Sequence, residues 1–137
     1  SEIHENITAY WRPKAKIPAG QEFSAAYRLR WTGAGLAPSD MGRVAESREG
    51  QGAEGPWRRY AIDFVGPMPP IGAVKLVATA SAGRIVSPVL RPNPATGGYR
   101  VTFDLDPKNA PMSELRVQLT DGQKPISETW LYRWVAA

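Results

Sequence analysis

The chain has 137 residues, a length that fits a single domain able to bury a core without a metal or a disulfide. Hydrophobic residues make up 42% and charged residues 22%, which excludes a globally disordered chain, and no apolar run approaches the ~18 residues of a membrane span. The net charge of +4 comes from residues scattered along the chain rather than clustered on one predicted face, so we expect no nucleic-acid partner.

The N-terminal part contains two alternating segments. Residues 7–11 predict a short strand that ends before Pro13. Residues 21–31 alternate without interruption, with Phe23, Tyr27, Leu29 and Trp31 on one side and arginines on the other. Because successive strand side chains point to opposite faces, this pattern predicts a half-buried central strand.

The middle of the chain begins irregularly and then becomes regular. Residues 32–57 are rich in glycine and polar residues; within them, residues 43–47 predict a short edge strand and residues 49–55 a mobile hairpin tip. In residues 57–65, Tyr60, Ile62 and Phe64 share one face. That alternation predicts a strand.

Residues 74–80 and 84–90 predict two further strands. The residues between them, 81–83, suit a tight three-residue hairpin loop. Pro88 has no N–H to donate, so the second strand should lie at a sheet edge or carry a bulge. Residues 91–98 predict a loop, and residues 99–105 another alternating strand.

The C-terminal part predicts a final pair of strands. Residues 115–119 alternate, and Asp121 and Gly122 form a dipeptide typical of hairpin turns. Residues 126–135 predict the last strand. Since both of its faces carry large apolar side chains, we expect it to be covered on both sides.

No segment shows a convincing helical period. Seven to nine short strands separated by turn signals predict an all-β protein, an immunoglobulin-like antiparallel β-sandwich. We expect a linker and first strand in residues 1–13 and the sandwich domain in residues 14–137.

The acidic residues offer one candidate catalytic pair. Asp104 and Asp106, two positions apart on a strand, would lie about 6.6 Å from each other, a separation that fits a glycosidase. They also lie where the strand runs into a loop, without an aromatic cleft, so we favour solvated acids. Asp63 is expected to pair with an arginine. His4 is the one histidine and lies in a terminal segment, so neither a Ser-His-acid triad nor a metal or cofactor is expected.

The five tryptophans are the remaining candidates for a binding function, because aromatic rings stack on sugars. Trp31, Trp130 and Trp134 occur in apolar alternations and are expected in the core. Trp11 and Trp57 lie beside proline and charged residues at strand ends. We therefore expect these two to be the exposed ones and candidates for carbohydrate binding.

Several segments in order resemble the C-terminal part of the periplasmic glucan biosynthesis proteins G and D of Gram-negative bacteria. The residues that carry the resemblance are HENITAYWRP (4–13), PAGQEF (18–23), YRLRW (27–31), RYAIDFVG (59–66) and SETWLY (127–132). Residues 32–57 depart most from that pattern.

The resemblance implies a periplasmic location and a two-domain parent protein that acts on β-1,2-linked glucan. It places the glucan cleft and its acids in a large N-terminal domain, so that no catalytic residue transfers to this chain. The partners it implies are that N-terminal domain, β-glucan and the inner-membrane glucan glucosyltransferase.

Three hypotheses follow for this chain. The first is a non-catalytic immunoglobulin-like module that packs on the glucan-processing domain and aids contact with glucan or the glucosyltransferase. The second is an independent carbohydrate-binding module that uses Trp11 or Trp57. The third is a weak hydrolase that uses Asp104 and Asp106.

Overall fold

The computed structural model describes residues 13–29, 31 and 40–136. The chain divides into two units, Ser1–Ala34 and Gly35–Ala137. All strands of the described residues lie in the second unit, which also contains a 3₁₀ turn at Ile71–Ala73. The strands are β1 (Arg43–Gln51), β2 (Arg58–Val65), β3 (Lys75–Ala80), β4 (Arg84–Asn93), β5 (Gly98–Asp106), β6 (Met112–Thr120) and β7 (Trp130–Val135).

These strands form two antiparallel sheets. The four-stranded sheet has the order β1-β2-β5-β4, and the three-stranded sheet has the order β3-β6-β7. When the strands are lettered A to G along the chain, the two orders are ABED and CFG, the arrangement of a constant-type immunoglobulin domain. The predicted fold class is therefore confirmed, with seven strands in the described residues.

The core lies between the two sheets and is filled by the inward faces of β2, β5, β6 and β7. Its buried apolar residues are Tyr60, Ile62, Phe64, Val74, Val101, Phe103, Leu105, Leu115, Val117, Leu119, Trp130 and Trp134. Nearly all of them fall on alternate positions of their strands, because a side-chain period of two turns one face of each strand inward. The predicted core positions of Trp130 and Trp134 are confirmed.

Aromatic rings occupy the centre of this core. The ring of Tyr60 stacks on Phe103 at a centroid distance of 5.2 Å and lies 5.7 Å from Trp130. Antibody domains join their two sheets here with a disulfide packed on a tryptophan. This chain has no cysteine, and the aromatic contacts between β2, β5 and β7 connect the sheets instead.

The predicted central strand at residues 21–31 is wrong. Its described residues have no strand assignment, and their large side chains are exposed, Trp31 at 90%. Trp31 is therefore not a core residue either. A period of two shows only that a segment suits a strand; the strand itself requires a hydrogen-bonded neighbour, and the seven strands already complete the sandwich without it. The predicted strand at residues 7–11 lies outside the described residues.

The predicted hairpin through residues 81–83 is also wrong. Strand β3 pairs with β6, whereas β4 pairs with β5 in the other sheet. The short loop is thus a crossing between sheets. Gly83 has φ +76° at this crossing, and a Cβ there would lie 2.6 Å from the carbonyl oxygen of Asp106, so the tight approach of the loop to the end of β5 requires glycine.

The observed bounds of three strands differ from the predicted bounds by a few residues. The edge strand predicted at residues 43–47 is confirmed but continues to Gln51, so the hairpin connection starts later than predicted. Strand β4 includes the first residues of the predicted loop 91–98, and β7 begins at Trp130 rather than at residue 126. The outward side of β7 is uncovered among the described residues, with Leu131 68% exposed.

Candidate carbohydrate-binding surface

Trp57 lies at the end of the connection between β1 and β2. Two backbone hydrogen bonds close this connection. The N–H of Gly52 donates to the carbonyl oxygen of Trp57 (2.8 Å), and the N–H of Trp57 donates to the carbonyl oxygen of Glu54 (2.9 Å). The side-chain amide of Gln51 donates to the carbonyl of Gly55 at 2.7 Å. The indole is half-buried, so the tip presents only part of its ring to a ligand. Trp11 lies outside the described residues.

An open depression of about 470 Å³ lies at the same end of the sandwich. It is bordered by Gln51, Pro56 and Arg58 from the β1–β2 hairpin and by Asn109 and Trp134 from the chain around β6 and β7. The amide and guanidinium groups of this border can hydrogen-bond to a sugar, whereas the indole of Trp134 is a core side chain, 8% exposed, and has no free face for stacking. Trp57 is not part of its border.

A second partly exposed aromatic residue was not among the predicted binding residues. The ring of Tyr132 stacks parallel to that of Trp130 at 5.6 Å and is 38% exposed. Its hydroxyl donates a hydrogen bond to the Glu49 carboxylate, which raises the pKa of Tyr132 above its ordinary value. The alternation with Trp130 and Trp134 places Tyr132 on their face, but the sequence does not show that Glu49 lies beside it.

Asp104 and Asp106 both project from the outward side of β5, and each is held in an ion pair. The expectation that they are solvated acids is wrong, because their basic partners cover them and leave them 4% and 5% exposed. Nε and Nη2 of Arg59 each donate to one oxygen of Asp104 at 2.8 Å. These hydrogen bonds lower the pKa of Asp104. Burial acts to raise the pKa of Asp106, but the hydrogen bonds and positive charge of Lys108, together with the positive charge of Arg84, outweigh it and the pKa is lowered.

The prediction that Asp63 pairs with an arginine is confirmed. Nε and Nη2 of Arg100 donate to its two oxygens at 2.7 Å, and the Asn93 amide adds a third hydrogen bond at 3.0 Å. The Arg100 hydrogen bonds lower the pKa of Asp63. The carboxylate is almost inaccessible, with 5% of its side-chain surface exposed.

This arrangement does not suit acid catalysis. A glycosidase needs one carboxyl group with a raised pKa to protonate the leaving oxygen, whereas the pKa values of Asp104 and Asp106 are both lowered. In the part of the chain that the structure describes, no three histidine, cysteine or carboxylate side chains are grouped as a metal site would require. The described chain also contains no helix with the length and apolarity needed to cross a bilayer.

Fold and surface thus define the class of protein, an immunoglobulin-like β-sandwich with its outward aspartates paired to basic side chains. The family model described as periplasmic glucan biosynthesis protein, MdoG, matches residues 1–134. The chain belongs to this family.

Curated relatives agree with that membership. The chain is 41% identical to the glucans biosynthesis protein G of Rhodopseudomonas palustris (strain BisA53) over 136 residues, which cover 97% of the chain and 26% of the relative. The protein of the same name from Shewanella baltica (strain OS155) is 38% identical, with coverages of 98% and 26%. That from Vibrio cholerae (strain O395) is 38% identical, with 98% and 25%. The chain therefore spans about a quarter of the length of these relatives, and it corresponds to a C-terminal part of them.

Proposed function

We propose that this chain is a non-catalytic module of a periplasmic glucan biosynthesis protein. It packs on the glucan-processing domain of the longer protein and helps that domain to contact glucan or the membrane glucosyltransferase. The family match and the small share of each relative that the chain covers support this proposal. The family description also supports a periplasmic location.

The observation that carries the proposal is the state of the aspartates. Asp63 and Asp104, on the outward side of the four-stranded sheet, each accept two hydrogen bonds from one guanidinium. A carboxylate held in this way stays ionised and has few lone pairs left for a substrate proton. Such pairs fit a rigid scaffold better than a reaction centre.

The proposal is tested by mixing the chain with the separately produced remainder of the full-length protein. We expect co-elution in size-exclusion chromatography, because a packing module must have a surface that its neighbouring domain recognises. We also expect no release of reducing ends when the chain alone is incubated with linear β-1,2-glucan. Hydrolysis by the chain that disappears in Asp104→Asn would overturn the proposal, as would separate elution of the two parts.

A second candidate function is an independent carbohydrate-binding module, favoured by the partial exposure of Trp57 at the hairpin end. In that case the tryptophan fluorescence of the chain should change saturably as linear β-1,2-glucan is added. Trp57→Ala should abolish the change, while Trp31→Ala, which removes another exposed indole, should leave the affinity unaltered. Equal losses in both variants would contradict a site at Trp57. Trp11→Ala tests the other predicted residue in the same assay.

A further inference from the structure

The outward side of the four-stranded sheet carries a regular set of charges. In the register of β2 and β5, Arg59 lies opposite Asp104 and Asp63 lies opposite Arg100, and β4 places Arg91 opposite Arg100. We call this surface the charged face; its central residues are Arg59, Asp63, Arg91, Arg100, Thr102 and Asp104. Three arginines and two aspartates leave this part of the sheet with a net positive charge.

The charged face contains an open depression of about 470 Å³. Arg59 and Arg100 border it at opposite ends, Arg91 borders it from β4, and Thr102 lies between them. The two arginine–aspartate pairs are four residues apart along β2, which corresponds to about 13 Å. The pair between them is Ala61 opposite Thr102, and these small side chains leave room between the guanidinium groups.

Hydrogen-bond donors are in excess around this depression. Arg59 and Arg100 each use two of their five N–H groups on an aspartate. Their other N–H groups make no hydrogen bond to the described residues. The carboxylate oxygens, by contrast, already have donors, since Asp63 and Asp104 each accept three hydrogen bonds. The site therefore has donors to offer and few acceptors, which suits a ligand with acceptor oxygens.

Arg91 adds a positive charge that is not neutralised within the described part of the chain, where no carboxylate lies within ion-pair distance of it. It lies directly across from Arg100. Like charges at directly opposite strand positions destabilise a sheet. An anion bound between them would remove that repulsion.

Strand β4 is distorted at the same place. Ser87 and Pro88 together oppose the single residue Phe103, because the paired positions on either side are Val86 with Asp104 and Val89 with Thr102. Ser87 has φ +47°, a left-handed conformation that costs a non-glycine residue free energy. The bulge brings Ser87 to the border of the depression, and a serine hydroxyl is a group that can donate a hydrogen bond.

From the excess of donors, the uncompensated Arg91 and the bulge at Ser87, we propose that this depression binds an oxyanion, a carboxylate or phosphate group. Arg91 and the unused N–H groups of Arg100, which lies directly opposite it, donate to its oxygens. Arg59, about 13 Å further along the sheet, adds positive charge to the depression without contacting the same group. The group can belong to a free inorganic anion or to an anionic substituent on a sugar. This site is separate from Trp57 and does not depend on the proposed accessory role.

The test is a titration of the ¹⁵N-labelled chain with inorganic phosphate, followed by two-dimensional NMR at constant ionic strength. We expect saturable shifts centred on the amides of Ser87, Arg91 and Thr102. Arg91→Gln should weaken binding by about tenfold, the size expected for a charge-assisted hydrogen bond, and Arg91→Lys by less. The matched control is Arg43→Gln, which removes the same charge from the opposite edge strand, β1, and should change the affinity less than twofold.

Glucose 6-phosphate and glucose distinguish the two sources of the anion. Tighter binding of glucose 6-phosphate than of phosphate, with no response to glucose, identifies an anionic sugar substituent, while equal binding of the two phosphates identifies a free anion. The proposal is wrong if phosphate gives no saturable shifts in the millimolar range. It is equally wrong if Arg43→Gln and Arg91→Gln weaken binding alike, since that result indicates only a general effect of surface charge.

Discussion

The hydroxyl of Tyr60 is an unusual feature at the scale of a single residue. Tyr60 is 1% exposed, and its oxygen has no hydrogen-bond partner among the described residues. Burial raises the pKa of this phenol well above its ordinary value. The ring is well packed against Phe103 and Trp130, so Tyr60 stabilises the core through its ring and not through its hydroxyl.

Removing that hydroxyl is expected to stabilise the protein. A buried polar group without a partner costs roughly 1–3 kcal/mol, so Tyr60→Phe should increase the free energy of unfolding by about 1 kcal/mol in urea titrations. The control is Tyr132→Phe, which removes a hydroxyl that does have a partner, Glu49, and should lower stability slightly. A clear loss of stability in Tyr60→Phe would show that its hydroxyl is hydrogen-bonded in solution.

At the scale of the strands, close backbone approach constrains the start of β5. A Cβ at Gly98 would lie 2.0 Å from the carbonyl oxygen of Phe64 on β2. A Cβ at Gly50, on the edge strand β1, would have no neighbouring atom within 4 Å. The two glycines are thus a matched pair, one confined between strands and one open.

Gly98→Ala is expected to destabilise the protein by roughly 2 kcal/mol or more, because either β2 or β5 must shift to admit the methyl group. Gly50→Ala should be neutral or gain a few tenths of a kcal/mol, since alanine restricts the unfolded chain. Thermal unfolding of both variants against the parent chain provides the measurement. Equal stabilities of the two variants would contradict the close approach of β2 and β5 at Gly98.

At the scale of the whole molecule, the aspartate–arginine pairs connect folding to pH. The pKa values of Asp63 and Asp104 are lowered in the folded state by hydrogen bonds from Arg100 and Arg59. An unfolded aspartate has a pKa of about 3.9. The unfolded chain therefore binds more protons than the folded chain between that value and the lowered folded values, and stability must rise with pH in this range.

We accordingly expect the free energy of unfolding to change little from about pH 7 to pH 5 and to fall progressively below about pH 4. Asp63→Asn should reduce this loss of stability in acid, because an asparagine amide does not take up the proton that the Asp63 carboxylate binds at low pH. Glu114→Gln, which breaks an exposed pair with Arg133, should keep the parental pH profile. Urea unfolding at several pH values measures all three. An unchanged profile in Asp63→Asn would exclude its ion pair as a source of acid sensitivity.

Much of the fold could be predicted from local patterns in the sequence. The alternation of Tyr60, Ile62 and Phe64 predicted β2 and its buried face. Pro88 predicted a strand at a sheet edge or with a bulge, and β4 has both features. These predictions succeeded because side-chain direction in a strand and the missing N–H of proline depend on neighbours in the chain alone. The prediction that Asp63 pairs with an arginine likewise came from local pattern, which places Asp63 on the outward face of its strand.

Tertiary structure alone decided which segments pair and which charges meet. The equally regular pattern of residues 21–31 gives no strand in the described residues, and the loop at residues 81–83 connects two sheets. Likewise, Arg59, Arg91 and Arg100 are dispersed in the sequence, and the register of three strands places them around one depression. The physical reason is that the hydrogen-bonding partner of a strand is a distant segment, chosen by closure of the common core and not by local pattern.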